Sequence, residues 1–367
     1  MILRNPLTIL IDYRGAFQSK ASNALKFGSL DLGLLTQAFA MYDCIVELRT
    51  FPSLDLRKEN FRNRWVLLNS SEDHNLLYKS YLEDIALALS LQGAKLVPEF
   101  IYLRAHQNKV FSELLRDVLG GETLHNIKSR VFATYEDFLH ENLDYPVVFK
   151  IADGSGSKGV RLALDSHLGR QVAKRISQST FPLESLKELV KRIIRKEYIP
   201  RSMHRRKFIS QTFINNLLGD YKVLIYHNKF YCLARSNRKN DFRASGSGIF
   251  SFPTNGINHI LNYASDLFKR FDCPLASFDI AYDGNDCYLI EFQFLFFGTY
   301  TIENAPHYFI RGSSGWEMVI KKSVVEEEFA RSVVEFINMK TEMHDPKELA
   351  PIDLVRKDNQ FKYPENI

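Results

Sequence analysis

At 367 residues, 45% apolar and 25% charged, the chain has the composition of a soluble globular protein, with room for two or three structural units and at least one sizeable core. A net charge of +5 is mild for this length, and residues 201–207 are the only compact basic run, which argues against nucleic acid as a partner. No apolar run reaches the roughly 18 residues of a membrane span, residues 7–11 are too short for a signal-peptide core, and Cys44, Cys232, Cys273 and Cys287 sit among apolar neighbours at no metal-type spacing, as free thiols in a reducing cytosol would.

The predicted elements begin with a buried strand over 8–13 and a second over 65–69, followed by a polar turn at 70–74. Leu82, Ile85 and Leu89 recur at helical spacing, so 78–91 reads as a helix, stopped by Gly93, with a strand at 95–97 that Pro98 ends. This strand–helix alternation predicts a small α/β unit with a largely parallel sheet over residues 1–105. A helix over 108–119 closes on Gly120 and Gly121. A strong strand over 146–151 runs into a glycine-rich segment and returns as 160–163. Residues 183–197 alternate helically and 207–214 are extended. Residues 220–226 pair with 229–235 through His227 and Asn228, and a helix over 258–270 precedes a last hairpin over 277–293. From about Thr341 the chain is charged and Pro-bearing, as a loosely packed tail is.

The last hairpin carries the strongest chemical signal. Apolar runs flank a turn rich in Gly, Asn and Asp, and near the strand ends stand Asp279, Glu291 and Gln293. Glu291 and Gln293 are two apart and share a face, to which an antiparallel return brings Asp279. Two carboxylates and an amide oxygen form a hard-oxygen set of the kind that takes Mg²⁺ beside nucleotide phosphates; the plainer reading is a strand pair with edge charges. Gly154, Ser155, Gly156, Ser157, Lys158 and Gly159 lie between two strands, which excludes the dinucleotide fingerprint and the P-loop, whose glycines open a helix. Such a loop either lies over phosphates, its backbone N–H groups approaching closely, or is an ordinary turn. Lys150 sits in an apolar strand just before it, where a lysine calls for an anion unless it faces solvent. Arg235, Arg238, Lys239 and Arg243 follow another strand, as anion-binding forks or as a solvated loop. The histidines show no triad spacing; His74, His106, His204 and His307 lie near polar turns and read as surface or substrate-domain residues.

Taken in order, these pieces resemble the ATP-grasp superfamily of carboxylate–amine ligases over roughly residues 105–310, glutathione synthetase and the glutamate ligases of ribosomal protein in particular. The resemblance implies an α/β (α+β) chain: an N-terminal pre-ATP-grasp α/β domain (1–105), an ATP-grasp domain (106–335) of two α+β subdomains with ATP between their sheets and a lid at about 146–210, then a tail (336–367). It implies that Lys109 and Lys150 bind phosphate, the latter with the 154–159 loop, and that Gln211, Thr212, Phe213 and Ile214 form the adenine hinge. Asp220 matches the acidic residue before the second hairpin. Arg235 and Arg243 are implied to steady the transferred phosphoryl group and the oxyanion. Asp279, Glu291 and Gln293 are implied to ligate Mg²⁺, two ions by the family pattern, with Mn²⁺ an acceptable substitute. Gln293 departs from the family's Asn, on a longer stem but with the same oxygen, and the aromatic run 294–300 replaces small residues, so the acceptor pocket should differ.

The implied activity is cytoplasmic, ATP- and Mg-dependent joining of a carboxylate to an amine, from small-molecule, glycan or peptide substrates, through an acylphosphate. Phosphorylation of a stable product and a decayed nucleotide-binding scaffold are the alternatives. A homodimer through the N-terminal region is compatible with the sequence. Residues 78–85, Arg104, His106, Asn108 and Lys109 also resemble bacterial ATP-grasp proteins of surface-polysaccharide gene neighbourhoods.

Overall fold

The computed structural model describes residues 6–20, 28–119, 124, 127–154, 159–179, 182–215, 217, 219–237 and 248–343. Its strands form three sheets that succeed one another along the chain. The first contains β1 (Leu7–Ile11), β2 (Val46–Thr50), β3 (Trp65–Leu67) and β4 (Lys95–Val97), all parallel in the order β2-β1-β3-β4. Leu7, Ile9 and Leu10 are fully buried, because residues on both faces of β1 are covered. Helix α1 (Leu32–Ala40) starts where the Asp31 carboxylate accepts from the free N–H groups of Gly33 and Leu34. Helix α2 (Leu77–Leu91) buries Leu82, Ala86 and Leu89 against this sheet.

Helices α3 (Phe100–Ala105) and α4 (Lys109–Leu119) leave the first sheet and lead to the second. That sheet contains β5 (Ser129–Phe132), β6 (Val147–Ile151), β7 (Val160–Ala163) and β8 (Phe208–Thr212), antiparallel in the order β5-β8-β6-β7. It therefore begins before residue 146, because β5 pairs with β8 along the edge away from the glycine loop. Phe132, Phe138, Phe149 and Phe208 fill the space beneath α5 (Tyr135–Leu139) and α6 (Ser166–Ile176). Helix α7 (Pro182–Ile194) follows, with Leu189, Ile193 and Ile194 exposed.

The third sheet has seven strands: β9 (Gly219–Tyr226), β10 (Lys229–Ser236), β11 (Phe250–Ser251), β12 (Leu275–Tyr282), β13 (Cys287–Gln293), β14 (Tyr308–Gly312) and β15 (Gly315–Val319). Their order is β13-β12-β9-β10-β14-β15, with β11 against β10. Helix α8 (Asn258–Phe268) covers one face through Ile260, Leu261, Ala264 and Leu267. Helices α9 (Tyr300–Asn304) and α10 (Val325–Met343) cover the other. The tail expected from residue 336 is corrected here: α10 runs to Met343, and Phe336 and Ile337 are buried in the same cluster as Leu35 and Phe39 of α1. The cysteines are free thiols. No helix among the described residues is long and apolar enough to cross a membrane.

Candidate active site

Strand pairing brings the charged residues of the third sheet together. Asp279 stands opposite Glu291 and Ser277 opposite Gln293, so both carboxylates and the amide share one face. The register shifts between Asp279 and Ile280, leaving Ile290 without a partner, a bulge that bends the hairpin beside the carboxylates. On the other side of β12, Lys222 stands opposite Asp279, and one strand further Arg235 stands opposite Asp220. Arg235 Nε donates to Asp220 Oδ1 at 2.5 Å, its Nη2 lies 2.9 Å from Asp279 Oδ2, and Lys222 Nζ lies 3.5 Å from Asp279 Oδ1. Burial works to raise the Asp279 pKa, but Arg235 and Lys222 outweigh it and hold the carboxyl at about 2. For Asp220, burial outweighs Arg235 and, with the charge of Asp279, pushes it up to about 6. The close approach of β9 and β10 at this pair needs Gly219, where a Cβ would lie 2.0 Å from the Arg235 carbonyl oxygen.

Two lysines reach the hairpin from the opposite side. Lys109, the first residue of α4, donates from Nζ to Gly154 O at 2.7 Å and lies 3.6 Å from Glu291 Oε1. Lys150 on β6 is 8% exposed, and its amine has no hydrogen bond or ion pair among the described residues. Burial pushes its pKa down to about 8, against the pull of Glu291 and Glu113. Both lysines line a cavity of about 20 Å³ shared with Glu113, Arg116 and Glu291. Beneath it Arg116, 1% exposed, donates to Leu289 O at 3.0 Å and lies 3.5 Å from Glu113 Oε2, which ties α4 to the hairpin. Gly159 closes the glycine-rich segment at φ +81°, where a Cβ would sit 2.6 Å from the Ile151 side chain.

Beside Arg235 and Gly159, the expected residues fall into four groups. Lys109, Lys150, Gly154, Asp279, Glu291 and Gln293 converge on the hairpin face, Gly154 through its carbonyl. Gln211 and Asp220 are turned inward: Gln211 donates to Glu113 Oε1 at 2.9 Å and Asp220 is held by Arg235. In the rest of the expected hinge, Thr212 N donates to Lys128 O and Phe213 N to Pro146 O, while the Ile214 side chain is half-buried. Ser155, Gly156, Ser157, Lys158 and Arg243 lie outside the described residues.

A large cavity of about 810 Å³ opens in front of the hairpin, in the range that holds small molecules. Lys222, Arg235, Asp279, Glu291 and Gln293 form one wall; loops after β1 and β3, including Tyr13, Gln18 and Glu72, form the other together with Tyr78 of α2. Sequence reading missed Lys222, although its spacing of two from Asp220 put it on the same face of a strand. It also read His106 and His307 as surface or substrate-domain residues, and the first alternative does not hold, since both are buried, at 3% and 5% exposure. His106 is enclosed because the turn between α3 and α4 folds under the loop after β3, where its Nδ1 meets Ser70 Oγ at 2.7 Å.

Among the described residues no three His, Cys, Asp or Glu side chains converge as a metal group. The hairpin set, with two carboxylates and one amide oxygen, is nevertheless of the hard-oxygen type that suits Mg²⁺, and it faces the large cavity. Its carboxylates are already balanced by Lys222, Arg235 and Lys109, so a divalent ion gains most there together with an anionic ligand.

No model of a known protein family matches the chain, and no curated protein does. The chain is similar to several solved structures. A RimK domain protein ATP-grasp from Sphaerobacter thermophilus is 14% identical, with 89% of this chain and 99% of that chain covered and a TM-score of 0.46. D-alanine–D-alanine ligase from Bacillus anthracis is 12% identical, over 92% and 99%, with a TM-score of 0.46. L-amino acid ligase from Bacillus licheniformis is 14% identical, over 80% and 69%, with a TM-score of 0.45. No polysaccharide connection appears among these, so that expected setting finds no support. Identities this low leave activity to be argued from the residues themselves.

Proposed function

We propose that the chain is an ATP-grasp enzyme that joins a carboxylate to an amine at the expense of ATP. The observation that carries this reading is the convergence of Lys109 and Lys150 on a hairpin face bearing Asp279, Glu291 and Gln293. Cations from one side and hard oxygens from the other suit a polyphosphate better than any neutral ligand. Residues 1–105 would be the pre-ATP-grasp domain, and the second and third sheets the two halves that grip ATP.

In this mechanism a substrate carboxylate oxygen attacks the γ-phosphorus and ADP leaves with the electron pair of the broken P–O bond. The acylphosphate is then opened by an uncharged amine, whose nitrogen bonds the carbonyl carbon as the C–O bond to phosphate breaks, and the proton that the nitrogen loses leaves on the departing phosphate. Lys109 and Lys150 hold the phosphates, and the partly buried Lys222–Asp279–Arg235 cluster fixes the hairpin so that its oxygens meet the triphosphate without rearrangement. Asp279, Glu291 and Gln293 would hold Mg²⁺, which when bound neutralises charge developing on the phosphates. Arg235 and Arg243 would steady the transferring group. The chemistry needs no protein nucleophile.

The test is ADP release across a Mg²⁺ titration, with pooled carboxylic acids and amines. Glu291→Gln should abolish turnover at ordinary Mg²⁺, Gln293→Leu should lose it, and Gln293→Asn should retain a substantial part, since the oxygen survives on a shorter stem. Parent-like turnover by Glu291→Gln would remove the hairpin from the metal site and the reading with it.

A further inference from the structure

The carboxylates lining the 810 Å³ cavity are Glu72, Asp73, Asp279 and Glu291. Three of them are already committed. Asp279 is paired with Arg235 and Lys222, Glu291 faces Lys109, and Asp73 accepts from the backbone N–H groups of Tyr78 and Lys79 at the start of α2. Glu72 differs. Among the described residues no lysine or arginine lies within ion-pair distance of it, and its partners are the Gln107 amide, which donates to Oε1 at 2.7 Å, and the imidazole of His106.

His106 is the unusual part of this arrangement. Its side chain is 1% exposed, and its Nε2 is buried without a hydrogen bond, facing Glu72 Oε1 at 3.4 Å. Burial holds its pKa below the ordinary value against the opposing pull of Glu72, so the ring is neutral and carries one proton. Nε2 faces only a carboxylate, which cannot donate, so the proton belongs on Nε2 and Nδ1 accepts from the Ser70 hydroxyl at 2.7 Å. A neutral imidazole and an amide orient Glu72 without neutralising it. The wall opposite the hairpin thus keeps net negative charge: Glu72 has no ion-pair partner among Lys and Arg of the described residues, only the more distant pull of Lys109, and Asp73 beside it is held by backbone N–H groups.

We propose that Glu72, oriented by His106 and Gln107, is the seat for a cationic amine, so that the second substrate arrives as a primary or secondary ammonium docked on the loop after β3. The proposal rests on the ligase reading above and adds to it the residue that receives the amine. Burial works to raise the Glu72 pKa, but the Nε2–H of His106 facing it, the Gln107 amide and the charge of Lys109 together hold it below the usual carboxylate range. A carboxylate so held is a good counter-ion and a poor proton acceptor. The role assigned is therefore docking; Glu72 is not assigned the removal of the amine's proton. His106, which does not itself line the cavity, is a positioning residue.

The experiment compares the parent with Glu72→Gln and His106→Gln. A pool of the standard amino acids supplies carboxylates and charged amines; hydroxylamine, uncharged at neutral pH, is the alternative nucleophile that traps an acylphosphate as a hydroxamate. Glu72→Gln is expected to raise the KM for the amine at least tenfold and to raise the ratio of hydroxamate to amide formed by a similar factor. His106→Gln should shift the same two quantities in the same direction by less, and calorimetric ATP affinity should separate both effects from loss of fold. If the parent couples amines and Glu72→Gln has the parental KM and ratio, the seat is overturned while the ligase reading stands. If the parent forms neither amide nor hydroxamate, the ligase reading fails and the seat fails with it.

Discussion

Lys150 shows how one residue can carry both a functional expectation and its own control. The sequence showed a cation in an apolar strand, and the structure gives it 8% exposure and a pKa pushed down to about 8 by burial. Its folded value lies below the unfolded one, so between about pH 8 and the ordinary lysine range the unfolded chain holds the extra proton, and the lysine's contribution to stability rises with pH through that window. In the proposed site, phosphate oxygens beside the amine would reverse the shift, and nucleotide binding above pH 8 should draw a proton from solvent. Calorimetry of ATP binding at about pH 8.5, in two buffers of different ionisation heat, should therefore show net proton uptake. Lys150→Arg should abolish the uptake, and Lys150→Ala should weaken binding by about 1.5–3 kcal/mol. Equal heats in both buffers, or an unchanged affinity for Lys150→Ala, would remove Lys150 from the phosphate site. That Asp279, Glu291 and Gln293 share one face was legible, because strand periodicity fixes which side chains lie together. The inward turn of Gln211 was not legible, because its partner Glu113 is 98 positions away and only the packing of α4 on β8 brings the two together.

At the scale of elements, the strands and helices with continuous apolar runs or clear periodicity were readable: β1, β3, α2, β6, β9, β10 and the β12–β13 hairpin all lie within a few residues of expectation. Elements with one thin apolar face were not. Helix α10 opens with Glu326, Glu327 and Glu328, yet Glu326 is fully buried, accepting from Lys20 Nζ at 2.7 Å and from Asp31 N at 2.9 Å, so a polar stretch conceals a core helix. Its spacing of Val325, Phe329, Val333, Phe336 and Ile337 did carry the helical signal. The consequence is measurable. Ile337→Ala, at a site 1% exposed, should cost about 2–5 kcal/mol in denaturant unfolding. Met339→Ala, at 37% exposure on the same helix, should cost under about 1 kcal/mol, little of its side chain being removed from water. Similar costs for the two would mean that α10 does not hold the place described.

Across the whole molecule, the first sheet is not an independent neighbour of the rest. Leu7, Ile9, Leu35 and Phe39 share one apolar cluster with Leu224, Tyr226 and Tyr231 of the third sheet and with Phe329 and Val333 of α10. Residues 106–343 expressed alone would expose that surface, so this fragment should lack a cooperative thermal transition; a sharp one would show that the sheets fold separately. The cavity follows the same plan, one wall from loops of the first sheet and the other from strands of the third. On the proposed function, this division would separate recognition from chemistry in a way useful to protein engineering. On that reading, exchanges in the loops at 13–19 and 70–73 would retune which acceptor is admitted while the strands proposed to handle phosphate stay untouched. A library confined to those two loops would therefore sample new products, provided that Gln18 is kept, since its buried side chain joins Leu68 O to Phe296 N beside the hairpin.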